Sequence, residues 1–179
     1  MVGEWIAAVE VGEKFEGDLI MTPDNTKERR LAKVVSVGDT VRTVAEGDVV
    51  FAQIPVSMRS MFNNYFELEG TKYMQVKDTE IVATVKNQRL SVENFTPNAE
   101  WCLLESWLDR DPSSLIINTD NHTDRNALRY RILKLSDSYT GVYKVGEEVV
   151  VQRERTTLIN FGSTDYWYIH VQFITGRVL

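Results

Sequence analysis

The sequence is short of the residue types on which several classes of protein depend. Its 179 residues include a single cysteine, Cys102, and two histidines, His122 and His170. One cysteine cannot form a disulfide within the chain, and neither histidine has a cysteine or carboxylate at metal-ligand spacing. The sequence also lacks a glycine-rich phosphate loop and a Gly-x-Ser-x-Gly elbow. It therefore predicts no metal site, no bound cofactor and no enzymatic activity.

Basic residues and long apolar runs are scarce as well. Twenty Lys and Arg residues stand against 26 Asp and Glu residues, which gives a net charge of −6. This balance argues against a nucleic-acid binder, whose phosphate contacts need a basic face. No apolar run approaches the roughly 20 residues of a membrane-spanning helix, and the first residues lack the basic start of a signal peptide. We expect a cytoplasmic protein that binds neither nucleic acid nor membrane.

An internal repeat is the most informative feature that the sequence does contain. A shift of 96 residues places Trp5 on Trp101 and Leu19 on Leu115. Further identities at this offset join Glu4, Ile20, Asp24, Asn25 and Arg29 to Glu100, Ile116, Asp120, Asn121 and Arg125. The match continues downstream with small changes of offset, as loops of different length would produce. We predict two homologous domains, residues 1–90 and 91–179, joined within the polar stretch 87–98 that contains Pro97.

Each repeat has the pattern of a small all-β domain. Short runs of β-branched and aromatic residues alternate with Gly and Asp turns, and no segment has a convincing helical period. The strands predicted in the first repeat are Trp5–Val11, Ala32–Val37, Asp48–Gln53, Tyr65–Glu69, Thr71–Val76 and Glu80–Val85. A domain of about 90 residues is small but viable. The pattern therefore predicts a small β-barrel for each repeat.

A short apolar triplet lies in the polar loop after the first strand of each repeat. Leu19-Ile20-Met21 is followed by the polar run Thr22–Arg30, and Leu115-Ile116-Ile117 follows Ser113-Ser114. One such triplet is too short for a strand of its own and too poorly flanked for a helix, so a piece of buried strand is its ordinary explanation. Its recurrence at a fixed offset instead favours a binding role. The candidate binding residues are Leu19, Ile20, Met21, Leu115, Ile116 and Ile117.

The order of these segments resembles a GroES-type co-chaperonin subunit over almost the whole chain. The resemblance rests on the loop triplet, on Lys33–Gly38 (KVVSVG), on Glu46–Phe51 (EGDVVF) and on Glu67–Ala83 (ELEGTKYMQVKDTEIVA). It implies an all-β fold of two tandem GroES-like small β-barrels, each with a mobile loop after the first strand. In that family the loop triplet docks on the apical domain of the chaperonin. Asp18 replaces the second glycine of the family pattern and two serines replace both glycines in the second loop, so the first loop keeps more of that pattern.

The resemblance also implies partners. They are a GroEL-type chaperonin, which binds the ATP, unfolded client proteins, and further copies of the chain in a homo-oligomeric ring. In the family, the first strand of one subunit pairs with the last strand of its neighbour. We therefore expect Ile81–Val85 to pair with Trp101–Leu108 inside this tandem chain. The tandem arrangement is similar to that of chloroplast co-chaperonins, while the divergent sequence is similar to phage-encoded members and favours a phage or divergent bacterial source.

Two other interpretations stay open at this point. A structural or adaptor protein, for example in virion assembly, could use GroES-like barrels for oligomerisation, but this leaves the two loops without a purpose. A β-barrel enzyme would need carboxylates such as Asp48 and Glu147 to converge in a cleft. Cys102 lies at the start of an apolar strand and is predicted to be a buried thiol, not a nucleophile.

Overall fold

The computed structural model describes residues 3–14, 20–21, 29–53, 65–106 and 127–178, whose regular structure consists of β-strands and short 3-10 turns. The predicted all-β class is thus confirmed, while barrel closure and a GroES-like topology remain predictions. The chain divides into two compact units, Met1–Asn98 and Ala99–Leu179. Their boundary follows residue 98, whereas the sequence placed the domain boundary after residue 90.

The first unit is built on an antiparallel sheet with the strand order β6-β7-β1-β4-β5-β8-β9. The strands are β1 (Trp5–Glu10), β4 (Arg29–Val37), β5 (Val49–Gln53), β6 (Tyr65–Leu68), β7 (Thr71–Lys77), β8 (Ile81–Val85) and β9 (Phe95–Pro97). A separate ribbon is formed by β2 (Glu13–Lys14) and β3 (Ile20–Met21). Each of the six strands predicted for the first repeat is present, with small differences at the ends.

The second unit has an antiparallel sheet with the order β13-β14-β10-β11-β12-β15. Its strands are β10 (Trp101–Ser106), β11 (Ala127–Leu135), β12 (Glu148–Gln152), β13 (Thr157–Phe161), β14 (Thr164–His170) and β15 (Ile174–Arg177). This order matches that of the first unit strand for strand, except that no described strand corresponds to β9.

Irregularities of the two sheets fall at equivalent positions. The β1–β4 register shifts between Ala7 and Ala8, and the β10–β11 register shifts between Leu103 and Leu104, which lie 96 residues later. A second shift in β5 opposite β8 recurs in β12 opposite β15. A bulge bends its strand and increases the local twist. The repeat seen in the sequence is therefore also a repeat of backbone geometry.

Strand alternation builds a separate apolar core in each unit. In β5, Val50 and Ala52 point into the first core while Phe51 points to the opposite face of the sheet. The first core consists of Ile6, Ala8, Ala32, Val34, Val41, Val44, Val50, Ala52, Met74, Val76 and Ile81. The second consists of Cys102, Leu104, Tyr130, Ile132, Val149, Val151, Ile169, Val171 and Ile174. Both cores lie under the strands that carry the candidate loops.

The stretch expected to join the two domains contains strand β9. Phe95–Pro97 pairs with β8, and the ring of Phe95 meets the ring of Phe51 edge-on with centroids 5.8 Å apart. Pro97 is tolerated because β9 is an edge strand. Since β8 has β5 on one side and β9 on the other, the predicted pairing of Ile81–Val85 with the strand that begins at Trp101 is wrong. The latter strand, β10, pairs with β11 and β14.

Candidate functional site

The first candidate loop leaves the sheet after β1 and is held at its base. The backbone N–H of Val11 donates to the carbonyl of Leu31 at 2.9 Å, and the side-chain amide of Gln88 donates to the carbonyl of Gly12. The chain then forms the β2–β3 ribbon, in which Glu13 lies opposite Met21 and Lys14 opposite Ile20. A ribbon this short has little stability of its own. The two hydrogen bonds at its base therefore fix where the loop begins.

The structure describes part of the predicted binding set. Ile20 and Met21 form strand β3, so the expectation that the triplet is too short to form a strand is wrong for these two residues. Leu19 lies outside the described residues. So do Leu115, Ile116 and Ile117, which fall between Ser106 at the end of β10 and Ala127 at the start of β11. The binding role of all six residues stays a prediction.

Electrostatic contacts fix the start of the strand that precedes the first loop. The Lys77 ammonium lies 2.7 Å from the Glu4 carboxylate and 5.1 Å from the ring centroid of Trp5. The hydrogen bond and charge of Glu4 raise the pKa of Lys77. Burial raises the pKa of Glu80, although its carboxylate accepts the backbone N–H of Lys77 at 2.9 Å, which acts in the opposite direction. Together these groups join the start of β1 to the end of β7.

The second unit has a similar corner. His170 replaces the lysine, and its Nε2 lies 3.5 Å from the Glu100 carboxylate. The ring of Trp101 meets the His170 ring at 5.5 Å between centroids. The residue before each Glu has a positive φ, 76° at Gly3 and 45° at Ala99. The chain thus turns in the same way into the first strand of both units.

An ion cluster lies at the base of the second loop. Glu105, one residue before the end of β10, is buried, and its carboxylate is 3.9 Å from the guanidinium of Arg131. Arg131 also lies 3.7 Å from the carboxylate of Glu148. At the repeat offset, the first unit has Val9 in place of Glu105. The cluster links side chains of β10, β11 and β12 across the sheet. Sequence inspection missed it because its members are far apart in the chain.

The carboxylates considered for an enzyme serve as turn caps in the structure. Asp48 accepts the backbone N–H of Ala45 at 2.8 Å, and Glu147 accepts that of Lys144 at 3.1 Å. In each turn the glycine before the carboxylate has a φ near 90°, a conformation that favours glycine. The two residues are equivalent members of the repeat in different units. Each therefore has a local structural role in its own turn.

Cys102 is confirmed as a buried thiol. Its side chain is 1% exposed, and the thiol donates to the carbonyl of Ile169 at 3.4 Å. Burial raises the pKa of Cys102 to about 12. His122 lies outside the described residues. In the part of the chain that the structure covers, no three His, Cys, Asp or Glu side chains are grouped to hold a metal ion, and no helix is long and apolar enough to cross a membrane.

Comparison with known proteins adds no relative. No model of a known protein family matches the sequence, and a search of curated proteins returns no match. Functional interpretation of the chain therefore depends on its own residues and their geometry.

Proposed function

We propose that the chain is a tandem co-chaperonin that caps an ATP-dependent GroEL-type chaperonin ring and helps to enclose and fold client proteins. The observation that carries the proposal is the placement of the two apolar triplets. Each follows the first strand of one of two units that share strand order and bulge positions. An apolar triplet of this kind, repeated on a repeated scaffold, suits docking on a symmetric partner. Leu19–Met21 and Leu115–Ile117 are the proposed docking residues.

The energetics of such a loop favour weak, reversible contacts that act together. Each apolar side chain that becomes fully buried contributes about 1.5–3 kcal/mol, whereas ordering the loop costs about 1–2 kcal/mol per residue. One loop alone therefore binds weakly, which allows the cap to leave in each cycle. Affinity then comes from many loops on one ring, because each further contact is effectively intramolecular. Two loops in one chain follow the same logic.

Pairing of β9 with β8 supports assembly into a homo-oligomeric ring. The outer edge of β8 accepts a short strand that directly precedes the first strand of the next unit. Strand β15 is the counterpart of β8, and its outer edge carries no strand among the described residues. An open edge of this kind is a template for pairing with another chain. In the proposed ring, a second copy occupies it.

In this proposal the chaperonin and the co-chaperonin have different tasks. The partner chaperonin binds and hydrolyses ATP, while this chain contributes the docking loops and part of the enclosing wall. It needs no cofactor, nucleic acid or membrane for that role. A cytoplasmic location and a phage source are the setting that we propose for it.

The experiment that tests the docking assignment replaces the central residue of each triplet. The double variant Ile20→Asp/Ile116→Asp should lose nucleotide-dependent co-elution with a purified GroEL-type chaperonin, because a carboxylate cannot enter an apolar site without a large desolvation cost. Circular dichroism should show that its β-structure is intact. Val142→Asp is the matched control, since Val142 is an exposed apolar residue outside both loops. Unchanged co-elution of the double variant would refute the docking role.

Single variants rank the two loops. Because the first loop keeps more of the family pattern, Ile20→Asp should weaken co-elution more than Ile116→Asp does. Equal effects would show that both loops contribute alike.

A structural or adaptor protein, for example in virion assembly, is the second candidate. The open edge of β15 and the apolar residues on the outside of β6 favour it, since both suit assembly without a chaperonin. Hydrogen exchange of the free protein discriminates between the candidates. Strong protection of residues 15–19 and 107–126 would favour the adaptor, and fast exchange there would favour docking loops.

A further inference from the structure

A strained turn follows β8 in the first unit. The 3-10 turn Lys86–Gln88 contains two consecutive residues with left-handed backbone, Asn87 with a φ of 55° and Gln88 with a φ of 54°. In the described part of the chain, this is the one place where two successive residues other than glycine have positive φ values. Asparagine tolerates this conformation, but glutamine seldom adopts it. Such strain persists only where the surrounding structure imposes it, and it often marks a functional segment.

The turn is anchored on the side of β9. The backbone N–H of Lys86 donates to the carbonyl of Asn94 at 2.9 Å, and that of Phe95 donates to the carbonyl of Ser91 at 3.0 Å. Phe95 itself is fully buried against the ring of Phe51. Strands β8 and β9 therefore hold both ends of the turn and keep its strained backbone in place.

Gln88 extends from this anchored turn to the base of the first candidate loop. Its side-chain amide donates to the carbonyl of Gly12, and Cα atoms of the turn and of β2 lie within 8 Å of each other. Gln88 is half-buried, whereas the neighbouring Asn87 is exposed. Gly12 directly follows Val11, whose N–H donates to the carbonyl of Leu31 in β4. The contact joins residues that are 76 positions apart, so local sequence alone does not impose it.

We propose that Gln88 is a positioning residue for the first candidate loop, and that the strained turn Lys86–Gln88 serves to hold its amide on the Gly12 carbonyl. The inference deepens the proposed function, and its docking part rests on that function. A half-buried carbonyl at the point where the chain leaves the sheet needs a donor, and Gln88 supplies one. The direction in which the loop leaves β1 is thereby fixed before a partner binds. Docking then requires less additional ordering of the chain.

The first arm of the test measures hydrogen exchange in the free, full-length chain. Gln88→Gly removes the side-chain donor together with the steric cost of a positive φ, so the variant should fold. The amide of Val11, next to Gly12, should exchange about tenfold faster, as the loss of one hydrogen bond implies. The amide of Phe95 is the internal reference and should keep its exchange rate.

Two further variants separate loss of the donor from a change in the turn. Near neutral pH, Gln88→Glu keeps the length of the side chain without its amide donor and should accelerate exchange of Val11 in the same way. Asn87→Gly is the matched control, because it alters the other strained residue and keeps the donor, and it should leave Val11 exchange unchanged. Unchanged Val11 exchange in either Gln88 variant would overturn the proposal. Equal acceleration at Phe95, or in Asn87→Gly, would overturn it as well.

The second arm measures affinity for a purified GroEL-type chaperonin in the presence of ATP. Gln88→Gly should weaken binding by about threefold or more, because more of the loop must be ordered at docking. Asn87→Gly should bind as the unsubstituted chain does. Equal affinities of Gln88→Gly and the unsubstituted chain would overturn the role of Gln88 in docking. If the unsubstituted chain binds no chaperonin, the proposed function fails, while the first arm still decides whether Gln88 positions the loop.

Discussion

The buried thiol of Cys102 should make the second unit less stable as the pH rises above 9. Burial raises the pKa of its thiol from an ordinary value of 9.0 to about 12. In the unfolded chain the thiol ionises as the pH passes 9, whereas in the folded unit it stays protonated up to about pH 12. Its contribution to folding is therefore complete below pH 9 and is lost as the pH rises toward 12. With about 1.4 kcal/mol for each pH unit of difference, the loss between pH 8 and pH 11 amounts to about 2.5 kcal/mol.

The assay compares urea unfolding of the unsubstituted chain and of Cys102→Ala at pH 7, 8, 9, 10 and 11. Other titrating groups, including Lys77 with its raised pKa, are common to both proteins. The substitution lowers stability at neutral pH by removing a buried side chain, and this difference should shrink by about 2.5 kcal/mol by pH 11. Parallel stability curves for the two proteins would refute the assignment of an inaccessible, protonated thiol.

Two further substitutions test the architecture of the first unit. Gly38→Ala should destabilise it by about 3 kcal/mol in urea unfolding, because the new Cβ would lie 1.9 Å from the backbone carbonyl oxygen of Gly3. Gly176→Ala is the control and should have little effect, because its Cβ meets no atom within 4 Å. A Gly38→Ala protein as stable as the unsubstituted chain would contradict this packing. Phe95→Ala should cost about 3–5 kcal/mol and increase hydrogen exchange in β8, because it removes the ring that anchors β9 against Phe51. Unchanged protection of β8 would show that β9 does not cover that edge.

Strand positions in the first repeat were readable because local signals agree there. The Glu69-Gly70 pair predicts a tight hairpin, and both residues have positive φ values, 51° and 76°, as a two-residue turn between β6 and β7 requires. Alternation of apolar and polar residues located the strands on either side. Both signals act within a few residues, so a single sequence is enough to see them.

The elements that the sequence missed depend on contacts between distant residues. Phe95–Pro97 is three residues long and lies in a polar stretch with a proline, so nothing local distinguishes β9 from a linker. Its pairing with β8 decides the matter. The difference in exposure between the β6–β7 and β13–β14 hairpins could not be predicted from the sequence either. Leu68 and Phe161 are both apolar, and only the structure shows that Leu68 is exposed and Phe161 is buried.

The candidate loops show how far the sequence reaches toward function. The sequence alone shows that the triplets are repeated. The structure adds the ribbon in which Ile20 pairs with Lys14 and Met21 pairs with Glu13. What the triplets bind is a property of a partner surface, which no pattern in this chain encodes. A binding measurement is therefore required.

The most direct measurement is the native mass of the chain mixed with a purified GroEL-type chaperonin, with and without ATP. A tandem co-chaperonin should form a complex that holds several copies of the chain only when nucleotide is present, and the Ile20→Asp/Ile116→Asp variant should form none. Separate masses for chain and chaperonin under every nucleotide condition would contradict the proposed function.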